Sequence, residues 1–424
     1  MLYAIIAIMG LGIVDSYFIS FLGTNELAAI GFIAPITHIV TSIGLGLGMA
    51  VSSLVSKQIG ANQFDRAAHI VTNGLYLTAV LSIISIVILS TQLEFIFTIV
   101  GADKITLVPI MDYMNIWILG IPAVMYTMVG SSTFRALGDT KTSANIAMSM
   151  TLTNMLLTPL LIFGWGPFPE MGIQGAALAT VLAVVLSLLI GAHQLITREK
   201  LVIFAIPAWH EFSRNIKELL AIAIPAVLAN TIVPITAAVL TTIVAILGND
   251  IVAGYGVGTR IEAVMLIVVY ALSSTLPMFI GQNLGAGRKD RVKEAIKLCF
   301  RFTIFLQLAL YILLALFAEP IAAQFSEEAS VQKAIIYYLR IVPIAYGLSG
   351  IIILINVSMN VLGKPRVALY INIIRLVLFY APLALIGCRF YGLTGFYIGI
   401  TIAHCLAYIY ASICLRKVMQ ELDI

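Results

Sequence analysis

The chain of 424 residues reads as an all-α membrane protein of about twelve transmembrane helices, in two six-helix lobes related by an internal parallel repeat. Three observations lead there. Only 10% of its residues are charged and 61% are hydrophobic, with a mean hydropathy of +1.06, whereas soluble domains carry about 25% charged residues. Apolar runs such as 70–88 and 302–317 recur along the whole length between short polar islands, and a helix crosses a bilayer in about 20 residues. Residue landmarks recur at a fixed offset of 225.

The runs place spans near 1–22, 28–56, 67–91, 107–134, 143–165 and 171–196, then near 218–247, 251–283, 294–318, 331–362, 367–388 and 392–415. They do not alternate polar with apolar residues, as barrel strands would. Basic residues fall after the even spans: Lys57 and Arg66, Arg135 and Lys141, Arg198 and Lys200, Arg288 and Lys289, Lys364 and Arg366, Arg416 and Lys417. The odd loops read instead Thr24-Asn25-Glu26, Asn249-Asp250 and Glu327-Glu328. By the positive-inside rule, the even loops and both termini are cytoplasmic, and the protein is multi-pass in the inner (plasma) membrane. Residues 197–217 form the longest mid-chain polar island and read as a cytoplasmic linker between an amino-terminal lobe, 1–196, and a carboxy-terminal lobe, 218–424. Within it, Trp209-His210-Glu211-Phe212 suits a short interfacial helix.

Gly60-Ala61 recurs as Gly285-Ala286, Asp65-Arg66 as Asp290-Arg291, and Leu137-Gly138 as Leu362-Gly363, all 225 residues apart. Gly31 meets Gly256 and Tyr113 meets Tyr338 at the same offset. Gly172 and Gly175 meet Gly392 and Gly395 at 220, which implies a five-residue deletion. Six spans per half make the repeats parallel, an arrangement typical of transporters. At an offset of 225 Met1 aligns with Ala226, so 217–225 has no counterpart, and either span one is short or residues precede Met1.

Several classes drop out. The net charge of +4 is dispersed over alternate loops, which argues against a nucleic-acid partner. Cys299, Cys388, Cys405 and Cys414 lack metal-ligand spacing and read as small apolar side chains. The amino terminus has no basic stretch ahead of its apolar run, so it reads as a span rather than a signal peptide. No HExxH, GxSxG, CxxC or Walker A pattern occurs, so neither an enzyme nor a resident cofactor is expected. No loop is long enough for a nucleotide-hydrolysing domain, which leaves an ion gradient as the energy source.

An ionisable group at bilayer depth costs several kcal/mol and is a functional candidate by default. Asp15 lies inside span one without a basic neighbour at helical spacing. Asn154 and Thr158 share a face of span five, and Thr180 lies in span six. Their oxygens suit a hard cation or can orient a carboxyl. At the offset of 225, Leu240 stands where the first half has Asp15, so the halves have diverged chemically. Glu262 and Arg260 are the second-lobe candidates, with Arg340 and Arg375 as further charged candidates; His38, His193 and His404 read as packing residues. Phe18, Met49, Met155 and Met278 suit the wall of a tolerant apolar cavity.

These residues resemble a known family over essentially the whole chain. Val14-Asp15-Ser16, Leu27-Ala28-Ala29-Ile30-Gly31, Arg135 to Lys141, Arg260-Ile261-Glu262 and above all Ile280 to Arg288 look like multidrug and toxic compound extrusion (MATE) transporters. Asp15, the Leu-Ala-Ala-Ile-Gly segment and Glu262 look like the bacterial and archaeal DNA-damage-inducible-like branch. The resemblance implies a V-shaped pair of lobes around a central cavity, in a monomer that antiports cationic, aromatic or amphipathic drugs against protons or sodium by alternating access. It puts the amino-lobe ion site at Asp15, Asn154 and Thr180. Where relatives often carry a second aspartate this chain has Thr158, and span one lacks the proline associated with a bent first helix.

With one carboxylate among hydroxyl and amide groups, the site suits a proton better than sodium, although a sodium ion at Asp15, Asn154 and Thr180 is the competing expectation. The competing function is a lipid-linked oligosaccharide or cell-wall-precursor flippase of the same superfamily. That activity calls for several basic residues facing the cavity, and intramembrane basic groups here are few.

Overall fold

A computed structural model describes residues 2–203 and 209–424. Part of the expected linker, 204–208, lies outside the described residues, as does Met1. The described residues are helical almost throughout and contain no strand. They form two compact units, Met1–Val227 and Leu228–Ile424.

The first unit comprises α1 (Leu2–Ser20), α2 (Thr24–Gly60), α3 (Phe64–Val100), α4 (Lys104–Trp117), α5 (Ile121–Leu137), α6 (Thr140–Phe163), α7 (Gly172–Thr197) and the start of α8 (Trp209–Val244). Its boundaries follow from local chemistry. Asp103 and Asp139 cap α4 and α6, accepting the Thr106 and Thr142 backbone N–H groups at 2.8 and 2.9 Å. Gly101 and Gly138 close α3 and α5 in the left-handed conformation. One 3₁₀ turn, Ile118–Gly120, joins α4 to α5 within a single apolar span. The α6–α7 pair meets at Gly175, where a Cβ would collide with the Leu161 carbonyl. Such small-residue contacts are how membrane helices approach closely. Trp209 to Phe212 do not form a separate interfacial helix as expected; they open α8, whose first half packs Leu219, Ile222 and Ala223 into the core formed by α2 and α3.

The second unit continues α8 and adds α9 (Asn249–Met265), α10 (Ile267–Gly285), α11 (Lys289–Leu316), α12 (Ala318–Phe325), α13 (Ala329–Ile341), α14 (Tyr346–Val361), α15 (Pro365–Ile374) and α16 (Ala381–Glu421). The single span expected over 251–283 is broken at Leu266. Gln307 of α11 donates its Nε2 to the Met265 carbonyl at 2.9 Å, satisfying a backbone group at the break. Arg375–Tyr380, between α15 and α16, is a π-helix. Within α16 the chain doubles back at Gly392 (φ 58°), so that Gly387 lies on Gly395 and Leu383 on Gly399.

Ten helical runs among the described residues are long and apolar enough to span a membrane. One of them, Pro365–Glu421, contains the reversal at Gly392, and α1 supplies a further apolar helix of 19 residues, which accounts for twelve. The repeat also recurs in the backbone. Positive φ angles at Gly23, Asn62 and Gly138 return 225 residues on at Gly248, Gly287 and Gly363, and that of Gly172 returns 220 on at Gly392. The change of offset has a physical cause. The connection of residues 164–171 between α6 and α7 is reduced in the second unit to a turn at one glycine.

Candidate functional site

In the first unit α1, α6 and α7 bring Asp15, Thr158, Asn154 and Thr180 into one hydrogen-bonded chain. The Thr158 hydroxyl has two acceptors in reach, Asp15 Oδ1 at 3.2 Å and Asn154 Oδ1 at 3.3 Å. Asn154 Nδ2 donates to Thr180 Oγ1 at 3.0 Å, and the Thr180 hydroxyl donates to the Ala176 carbonyl at 3.1 Å. Thr158 is fully buried and Asn154 nearly so, whereas Asp15 is half-buried. Tyr113 of α4 stands against Thr180 and within electrostatic range of Asp15.

One hydroxyl proton cannot serve two acceptors at full strength. With Asp15 ionised, Thr158 donates to the carboxylate and Asn154 Oδ1 loses its donor. With Asp15 protonated, the acid can donate to Thr158, whose proton is then released to Asn154. The arrangement has two hydrogen-bonding states separated by one proton, with hydroxyl rotation as the moving part.

Sequence reading missed Tyr113 as a member, although its recurrence as Tyr338 was a visible signal. The neighbouring Asp112 accepts from Gln174 Nε2 at 2.9 Å. Of the expected wall residues, Phe18 packs edge-on against Phe163 with ring centroids 6.3 Å apart. Met155 is exposed, Met49 is half-buried in α2, and Met278 is half-buried beside Thr275 and Cys299. None of these four joins the polar chain.

The second unit holds a different cluster. Tyr338 of α13 donates its hydroxyl to Glu262 Oε2 at 2.5 Å. Arg375 lies within electrostatic range of Glu262, and its Nη2 donates to the Tyr380 hydroxyl at 2.8 Å. Tyr380 donates in turn to His404 Nε2 at 2.6 Å, because His404 Nδ1 is committed to the Ile400 carbonyl at 2.9 Å. In the neutral imidazole that pairing puts the proton on Nδ1. These groups line a cavity of about 280 Å³ together with Tyr255, Tyr270 and Asn372. Arg260 is exposed and has no part in it. His404, read from sequence as a packing residue, and Tyr380 are members that no spacing pattern announced. Among the described residues no group of His, Cys, Asp and Glu is arranged to hold a metal ion.

Apolar helical spans that bring carboxylates to membrane depth, Asp15 in one unit and Glu262 in the other, are the pattern of a polytopic membrane protein of the secondary-transporter type. Comparison with known proteins narrows that class. The MatE family matches residues 1–160 and 225–386. A protein of Shewanella oneidensis named FAD transporter is 39% identical over 405 residues, covering 96% of this chain and 90% of its own. The multidrug export protein MepA of Staphylococcus aureus is 23% identical over 414 residues, covering 97% and 90%. Among solved structures, the Vibrio cholerae MATE transporter VcmN in its bent form superposes with a TM-score of 0.93 at 29% identity, covering 99% of this chain and 95% of that one. The chain belongs to the MatE family of multidrug and toxic compound extrusion transporters, and it is a membrane-embedded transporter.

Proposed function

We propose that this protein is a proton-driven exporter of large aromatic organic compounds, working by alternating access in the inner membrane with both termini in the cytoplasm. The chain of Asp15, Thr158, Asn154 and Thr180 carries the reading. A single carboxylate whose two protonation states each have a distinct hydrogen-bonding pattern suits proton exchange. A sodium ion calls for several oxygen ligands and is held best by formal negative charge. Here a hydroxyl occupies the place where a second carboxylate would supply it. No cofactor enters the cycle.

For the cargo, flavin adenine dinucleotide is the first candidate, because 39% identity over 96% of the chain links it to a protein named for that transport. Cationic amphipathic drugs are the second reading, supported by similarity to MepA and to the probable multidrug resistance protein YoeA of Bacillus subtilis, which is 25% identical over 346 residues.

Proteoliposomes test the coupling. A pH gradient at equal sodium should drive flavin dinucleotide transport. Transport driven by a sodium gradient at equal pH, with none from a pH gradient, would reverse the ion assignment. Transport of cationic dyes but of no flavin would replace the cargo.

A further inference from the structure

We propose that Arg375 and its surroundings form an anion-binding subsite in the second unit, which takes the phosphate groups of an organic phosphate cargo. The proposal rests on the flavin-export reading above for the identity of that cargo, and on three local observations for the site.

The first is an unmet donor. A guanidinium carries five N–H donors in a rigid fork and is never deprotonated in practice. Arg375 Nη2 has the Tyr380 hydroxyl as its acceptor, while Nε is buried without a hydrogen-bond partner. The four ion pairs among the described residues all lie elsewhere. A buried N–H without an acceptor is costly, and a half-buried guanidinium with no ion-pair partner gains when an anion arrives.

The second is room. The cavity of about 280 Å³ that Arg375 lines falls just short of the roughly 300–1,000 Å³ of whole small-molecule pockets. That space suits a fragment of a cargo rather than all of it. The hydroxyl of Tyr270 and the amide of Asn372 share its wall, and neutral donors beside a guanidinium are what phosphate oxygens use.

The third is backbone. Arg375 opens the π-helix Arg375–Tyr380, and such insertions are frequent at functional sites. It directs Arg375 and Tyr380 toward one another and sets the guanidinium over the Tyr380 ring at 4.8 Å from the centroid. The stacked ring holds the cation in place without neutralising it.

Glu262 lines the same cavity, and in its ionised form it repels an anion, so it and Arg375 then act in opposite senses. Arg375→Gln should therefore weaken, and Glu262→Gln should strengthen, the binding of any phosphate compound.

The test is fluorescence titration of the purified protein in nanodiscs with flavin adenine dinucleotide and with riboflavin, plus displacement by inorganic pyrophosphate. Arg375→Gln should raise the flavin dinucleotide Kd about 10- to 100-fold, the worth of one or two charge-assisted hydrogen bonds, and leave riboflavin within about twofold. Arg375→Lys should recover part of the loss. Pyrophosphate should displace the dinucleotide from the unmutated protein, a result that does not depend on any variant folding. Flavin dinucleotide binding that is indifferent to both Arg375→Gln and pyrophosphate overturns the subsite while leaving flavin export standing. Pyrophosphate binding, followed by calorimetry and lost in Arg375→Gln, without any flavin binding keeps the subsite and removes the flavin reading. Absence of binding by either compound overturns the subsite.

Discussion

Thr158 has one proton to give and two acceptors to satisfy, and this imbalance lets the protonation of Asp15 be felt on α6 and α7. Asp15→Asn supplies a permanently neutral side chain of the same shape. It should abolish export while the protein still folds and inserts, and normal efflux in cells expressing it at ordinary levels would remove Asp15 from the coupling role. Thr158→Val keeps the volume but deletes the hydroxyl, so the two states lose their link. Export should fall about tenfold or more, since each 1.4 kcal/mol of a lost buried hydrogen bond is a factor of ten. Thr158→Asp makes the opposite change. A second carboxylate beside Asp15 should render transport responsive to a sodium gradient, read in the same proteoliposomes. These residues were legible in the sequence because polar groups inside apolar runs stand out. Arg375 stood out for the same reason, but Tyr380 and His404 did not, because their significance lies in mutual distances across the π-helix and α16 that no linear spacing encodes.

At the level of the helices, glycine and glutamine decide how spans meet and break. Gln307 holds the Met265 carbonyl at the interruption of span eight. Gln307→Leu leaves that carbonyl unpartnered in an apolar setting, which should cost about 1–3 kcal/mol and lower the unfolding midpoint in detergent by several degrees. An unchanged midpoint would mean that the break is held by packing alone. Most span positions were readable from hydropathy, although α3 runs to Val100 where 91 was expected and α8 opens at Trp209 where 218 was expected. The break at Leu266 was not, since no proline marks it and its partner lies 42 residues away on another helix. Trp209 to Phe212 misled for a related reason. A polar, aromatic stretch before an apolar run looks like a surface helix, but an α-helix continues wherever nothing interrupts its backbone, and here it runs from Trp209 to Val244.

For the whole chain, the repeat was the strongest sequence signal, and the left-handed residues that recur 225 positions apart show why it survives. A turn that needs positive φ restricts substitution more than an apolar face does. The orientation argued from loop charge is open to direct measurement. Single cysteines in 199–203 and a reporter after Ile424 should both be reached from the cytoplasmic side only, and labelling of either from outside would invert the topology. The hairpin at Gly392 has a consequence for manufacture rather than transport. With Gly387, Gly395 and Gly399 seated on facing backbone, each limb leaves this close-packed seam unfilled while its partner is absent. The final two spans should therefore leave the insertion machinery as a pair. An epitope placed at residues 166–168, in the longer connection of the first unit, should be tolerated, while the same insert at Gly392 should leave the last span stranded and the chain degraded.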